Sequence, residues 1–126
     1  MSKTILVVGA STNPEKYGHK IVKNLKERGH NVIPINPKEK EILGLKAYSS
    51  VSEFVKQNPK QEINWVDLVV PPQVALKVVE EVKTLGLTNV WFQPGSESDA
   101  AIKFCTDNKI NCTHHACMMI DFLDEQ

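Results

Sequence analysis

The sequence has no excess charge of either sign: lysine plus arginine and aspartate plus glutamate number 15 each. No net field therefore draws the whole surface toward nucleic acid or an anionic membrane, and any anion site must be local. Long hydrophobic runs are also missing. Met1-Ser2-Lys3-Thr4 leads into a six-residue apolar run, Ile5 to Ala10, broken by Gly9 and too short for a signal peptide or a membrane span. A soluble cytoplasmic protein is the expectation. Cysteine is scarce and odd in number, with Cys105, Cys112 and Cys117 alone, so reduced thiols are expected rather than a disulfide framework. Cys112-Thr113-His114-His115-Ala116-Cys117 contains zinc-ligand types. Adjacent residues do not readily wrap one tetrahedral ion, and no Cys-x-x-Cys pair exists, so no metal site is expected.

Two nucleotide signatures are absent as well. Ser11 stands at the second glycine of Gly-x-Gly-x-x-Gly and Pro14 at the third, and there is no P-loop.

What the chain does have is the makeup of one small domain. Its 126 residues, 41% of them hydrophobic, suffice to bury roughly 65–70% of the unfolded surface around a single core. Thr4 to Val8 is a continuous aliphatic run of the kind found in a parallel strand covered on both faces. Residues 31–35, 65–70, 89–93 and 110–113 supply four more strands, with Pro34 placing the second near a sheet edge. Helices are predicted between them. Gly18 to Arg28 carries an apolar stripe of Ile21, Val22 and Leu25 and ends at Gly29. Ser50-Val51-Ser52-Glu53 has the form of a capping box. Ala75, Val78, Val79, Val82 and Leu85 recur at helical spacing before Gly86, and Ser98 to Asn108 turns Ala101, Phe104 and Cys105 inward. Alternation of strand and helix with short links predicts a Rossmann-like, doubly wound, parallel five-stranded sheet in one domain over residues 1–126.

Ligands of such sheets collect beyond the carboxyl ends of the strands. Gly9 permits a tight turn there, Ser11 offers a hydroxyl, and the helix that follows aims free N–H groups and its positive end at the same place. Lys16 adds charge to this loop and favours an anion; the alternative is a plain strand-to-helix turn. At the end of the second strand, where NAD sites carry an acid, stands Asn36. With Pro37 and Lys38 it suits a phosphorylated ribose, as in NADP or coenzyme A, the alternative being a simple Asn-Pro turn. Cys112 reads as core, whereas Cys117 lies beyond the last strand on the ligand edge, where a buried, inert thiol is the competing reading. No catalytic set stands out: Asp67 is inside a strand, Glu15 has no evident partner, and Ser11 with His19 reads as ordinary helix-start chemistry.

Together these segments resemble the family of small coenzyme A-binding proteins, similar to the coenzyme A-binding domain of the succinyl-CoA synthetase alpha subunit. The resemblance runs over nearly the whole chain. It is carried by Val8-Gly9-Ala10-Ser11 with Asn13-Pro14, Val32 to Pro37, Asp67 to Val70 before Pro71-Pro72, Val90 to Gln93, and Cys117-Met118-Met119. It implies that the Gly9 to Gly18 loop, with Ala10, Asn13 and Tyr17, holds a pyrophosphate, and that Asn36-Pro37-Lys38 meets the adenosine and 3′-phosphate end. Val70, Pro71 and Pro72 would then face the nucleotide, Gln93, Pro94 and Gly95 would line the pantetheine arm, and Cys117 would lie near the coenzyme's thiol, within reach of a mixed disulfide. Many relatives carry an arginine before this cysteine and a Glu-His pair after the hydrophobic tail; here the positions are Ala116 and Ile120-Asp121. The function expected is binding of coenzyme A or an acyl-CoA as carrier, sensor or thiol-protection partner without catalysis of its own. A small NADP- or acyl-CoA-using enzyme and a protein-interaction module on the same scaffold are the alternatives. Neither nucleic acid nor membrane is an expected partner.

Overall fold

A computed structural model describes residues 2–123. Five strands form one parallel sheet: β1 (Thr4–Val8), β2 (Asn31–Ile35), β5 (Trp65–Leu68), β6 (Asn89–Phe92) and β7 (Asn111–Thr113), in the order β2-β1-β5-β6-β7. A two-residue-per-strand hairpin, β3 (Glu41–Ile42) with β4 (Leu45–Lys46), lies between β2 and the second helix. The helices are α1 (Tyr17–Glu27), α2 (Val51–Gln57), α3 (Pro72–Thr84), α4 (Asp99–Asp107) and the single turn α5 (Met118–Asp121). The predicted doubly wound sheet is therefore present. Among the described residues no helix is long and apolar enough to cross a membrane.

Strand alternation divides the core. Leu6, Val8, Ile33, Ile35, Val66, Leu68, Val90 and Phe92 meet Val51 and Phe54 of α2, Ala75 and Val79 of α3, and Ala101 and Cys105 of α4. The opposite face sends Ile5, Val7, Val32, Trp65 and Trp91 against Ile21, Val22 and Leu25 of α1 and Met118 of α5. This division follows from handedness: the chain leaves β1 toward β2 in one direction and returns past β1 to β5 in the other, so right-handed crossovers put α1 and α2 on opposite faces. Strand order reverses beside β1, which places a crevice over the carboxyl ends of β1, β2 and β5.

Pro34 sits on edge strand β2, and its carbonyl turns outward to accept from the Tyr48 N–H at 3.0 Å. The side of Pro34 that lacks an N–H is thus turned away from β1. Pro72 opens α3 at its first position, where no helical N–H bond is due. Thus β5 stops at Leu68, two residues short of the apolar run that predicted it. The hairpin and α5 were not foreseen. Leu43 and Gly44 both adopt left-handed backbone, φ 53° and 76°, as a tight two-residue hairpin turn requires. The segment after β7 is held by Arg28, whose guanidinium donates to the carbonyls of Met118 at 3.2 Å and Phe122 at 2.6 Å. Phe122 packs edge-on against Trp65, Trp91 and His30.

Candidate functional site

Two glycines bring β1 and α1 into contact closer than a side chain permits. Gly9 has φ +95°, and a Cβ there would stand 2.2 Å from the Val69 carbonyl oxygen. On Gly18 it would stand 2.0 Å from the carbonyl oxygen of Gly9. The first turn of α1 is consequently pressed onto the end of β1. Lys16 occupies the N-cap without a side-chain hydrogen bond to the helix, and the first turn contains no acid. Its leading N–H groups and the positive end of the helix are left for an anion.

The loop between the glycines is fixed by its own polar groups. Ser11 Oγ accepts from the Asn13 N–H at 3.0 Å, and Asn13 Oδ1 accepts from the Glu15 N–H at 3.0 Å. His19 Nδ1 lies 3.0 Å from the Ser11 carbonyl oxygen, so the imidazole braces the loop backbone rather than the Ser11 hydroxyl. Asn36 joins the loop to β2. Its Nδ2 donates to the Ala10 carbonyl at 2.8 Å, while its Oδ1 accepts from the N–H groups of Lys38 at 2.7 Å and Glu39 at 3.1 Å. Lys16, Tyr17 and Lys38 are exposed around this rim.

Below the rim is an apolar slot of about 230 Å³, lined by Val8, Gly9, Ile35, Pro37, Ser49, Ser50, Val51, Val70, Val74, Val78 and Glu81. A second, wider cleft of about 430 Å³ runs along Val69, Val70, Pro71, Pro72, Pro94, Gly95 and Ser96. Both are lined by Val70, and together they mark a path across the ends of β1, β5 and β6. Of the sequence-predicted residues, Gly9, Pro37, Val70, Pro71, Pro72, Pro94 and Gly95 line this path. Ala10, Ser11, Asn13, Gly18 and Asn36 build the loop above it.

Gln93 and Cys117, also predicted from sequence, line neither cleft and are engaged with each other. Gln93 is buried, and its Nε2 donates to Cys117 Sγ at 3.2 Å while its Oε1 accepts from the Met118 N–H at 2.9 Å. Asp121 Oδ2 accepts from the Cys117 N–H at 2.8 Å. Cys112, read as core, is only half-buried; the fully buried thiol is Cys105, which burial beside Cys112 pushes up to about 12. Among the described residues no cluster of three or more histidine, cysteine or acidic side chains is placed to hold a metal.

Sequence reasoning missed Ser49, Ser50, Val74 and Glu81 in the slot. Val74, Val78 and Glu81 follow helical spacing along one stripe of α3, adjoining the stripe that faces the core. That second stripe was the available signal. Asp67 went unread in another sense. It lies fully buried between Val7 and Trp91 on neighbouring strands, neither carboxyl oxygen has a hydrogen-bond partner among the described residues, and burial drives its pKa well above 3.8.

A family model described as "CoA binding domain" matches residues 3–122. The chain belongs to this CoA-binding domain family. It is 39% identical over 85 residues to an ADP-forming acetate–CoA ligase of Methanocaldococcus jannaschii, a match over 68% of this chain and 11% of the ligase. It is 38% identical over 87 residues to the alpha subunit of an ADP-forming acetate–CoA ligase II of Pyrococcus furiosus, covering 68% of this chain and 18% of that subunit. The chain thus spans less than a fifth of these relatives. A conserved hypothetical protein of Pyrococcus furiosus superposes with a TM-score of 0.88 at 39% identity over 94% of this chain and 98% of that one.

Proposed function

We propose that this CoA-binding domain holds coenzyme A, free or acylated, along the path over β1, β5 and β6, and acts as a carrier, sensor or thiol-protection partner. The observation that carries this reading is the uncapped start of α1, pressed onto β1 by Gly9 and Gly18 and opening directly beside an apolar slot. The N–H groups of that turn suit a pyrophosphate, the slot suits a flat base, and the cleft from Val70 to Ser96 suits a pantetheine arm. Lys16 adds charge at the pyrophosphate and Lys38 at a 3′-phosphate. On this reading the arm's thiol end reaches toward Cys117, which Gln93, the residue before Pro94, holds by a hydrogen bond to its sulfur. With the disulfide form of coenzyme A as oxidant, the Cys117 thiolate would attack one sulfur, form the mixed disulfide and release one coenzyme A thiolate.

The polar side chains nearest the phosphate site support holding over turnover. The Ser11 hydroxyl already accepts from a backbone N–H, and His19 is turned to a carbonyl, so the pair lacks the geometry of nucleophile and base. Titration calorimetry tests the reading. Coenzyme A is expected to bind more tightly than 3′-dephospho-CoA or NADP, and equal failure of all three would overturn it.

A further inference from the structure

The slot beside Gly9 is mainly apolar, with Val8, Ile35, Val70, Val74 and Val78 among its walls. Its one acidic lining residue is Glu81. The stripe Val74, Val78, Glu81 sets that carboxylate one turn further along α3 from the apolar wall. Glu81 Oε2 accepts from both the N–H (2.9 Å) and the hydroxyl of Ser52, at the start of α2. Oε1 accepts no hydrogen bond among the described residues. Ser50, another polar lining residue, has its hydroxyl engaged as the α2 N-cap, accepting from the Glu53 N–H at 3.0 Å. Beside the serines Ser49 and Ser50, the slot therefore offers a bicyclic base one carboxylate acceptor.

We propose that Glu81 is a specificity-determining residue that selects a 6-aminopurine. Its free carboxylate oxygen accepts from the exocyclic amine of adenine, whereas a 6-oxo purine would set a second acceptor against it. The Ser52 contacts hold the carboxylate in place and compensate part of its removal from water. This rests on the coenzyme A reading and gives that site its base preference. A charge-assisted hydrogen bond of this kind corresponds to roughly 10- to 100-fold in affinity.

The test compares coenzyme A with two analogues whose adenine is replaced by hypoxanthine or by purine unsubstituted at position 6, by titration calorimetry against the full chain. The expected order is adenine tightest, unsubstituted purine intermediate and hypoxanthine weakest, with the extremes at least about tenfold apart. Glu81→Gln, whose amide can both donate and accept, should bring the adenine and hypoxanthine forms to within about threefold of each other while coenzyme A still binds. Tight coenzyme A binding with no discrimination in the wild type overturns the role of Glu81 and leaves the cofactor reading standing. Failure of coenzyme A itself to bind overturns the cofactor reading instead. Retained discrimination in a folded Glu81→Gln variant also overturns the assignment. Should that variant not fold, the wild-type order decides, because an unsubstituted purine bound as weakly as hypoxanthine or as tightly as adenine is incompatible with a carboxylate acceptor.

Discussion

Replacing Asp67 with asparagine should remove a pH-dependent penalty from the centre of the sheet. Asp67 is fully buried with neither carboxyl oxygen hydrogen-bonded among the described residues, and burial alone raises its pKa well above the ordinary 3.8. The folded chain thus keeps a proton that the unfolded chain has released. Between the two pKa values the folded state binds one more proton, so stability is full below about pH 4 and falls as pH rises. The loss runs at about 1.4 kcal/mol per pH unit and stops where the folded carboxyl ionises. Asparagine keeps the shape without titrating, so the difference between wild type and Asp67→Asn isolates this group from the histidines and surface acids both share. Urea unfolding followed by circular dichroism at half-unit steps from pH 4 to 7 measures it. The two stability curves should diverge from just above pH 4, the variant gaining on the wild type with rising pH. Parallel curves across that whole range would refute the assignment of a buried neutral acid. The same proton bears on the site: Val7, paired with Asp67, lies two residues before Gly9, about 7 Å along the strand. A neutral Asp67 keeps a negative charge away from the loop that follows β1.

Gly18→Ala should destabilise the fold by about 1–3 kcal/mol, because backbone of the neighbouring strand end must move to admit the Cβ, and the gain in helix propensity of roughly 1 kcal/mol offsets only part; a raised unfolding midpoint would contradict this. Asn36→Asp removes the donor to the Ala10 carbonyl and leaves two acceptors facing it, at a cost of about 1–3 kcal/mol. Calorimetry should show weaker coenzyme A binding and no gained affinity for NAD; a gain for NAD would mean that residue 36 reads the ribose directly. Alkylation of the native protein at pH 8 should modify Cys117 first and leave Cys105 untouched until the chain is unfolded, since that thiol is buried and pushed up to about 12. Peptide mass spectrometry reads the order, and early labelling of Cys105 would refute it.

Strand and helix positions were legible because β1, β2, β5 and β6 are short, mainly apolar segments, and the C-terminal glycines Gly29 and Gly86 mark helix ends with φ +86° and +74°. The hairpin at residues 41–46 was not, for it has two residues per strand, too few to show alternation, and its turn puts Leu43 in a left-handed backbone that leucine seldom adopts. Turn α5 was equally silent. It is held by Arg28, ninety or more residues away in sequence, and such a contact leaves no local pattern. Among the residues that line the slot and the cleft, those in loops after strands could be read from topology. Val74 and Glu81 left only the weaker signal of a second stripe on α3, and a helical stripe that lines a cavity differs little in sequence from one that meets water.

The missing glycine fingerprint is itself explained by the geometry. In that fingerprint three closely spaced glycines provide the tight turn, the close approach of backbone to phosphate and the packing of helix on strand. Here Gly9 supplies the turn and Gly18 the packing, with eight residues between them. A connection of that length needs support that a short glycine turn does not. The polar residues of the loop provide it: Ser11 and Asn13 close successive small turns, His19 braces the Ser11 carbonyl, and Asn36 fastens Ala10 to the end of β2. Residue 36 is therefore a positioning residue whose amide is already spent on the loop. Substituting an acid there, as in a NAD site, would break the strut before it could reach a ribose. The neutral amide and the absent glycines are two consequences of one design, a longer loop between β1 and α1 braced by side chains instead of by glycine.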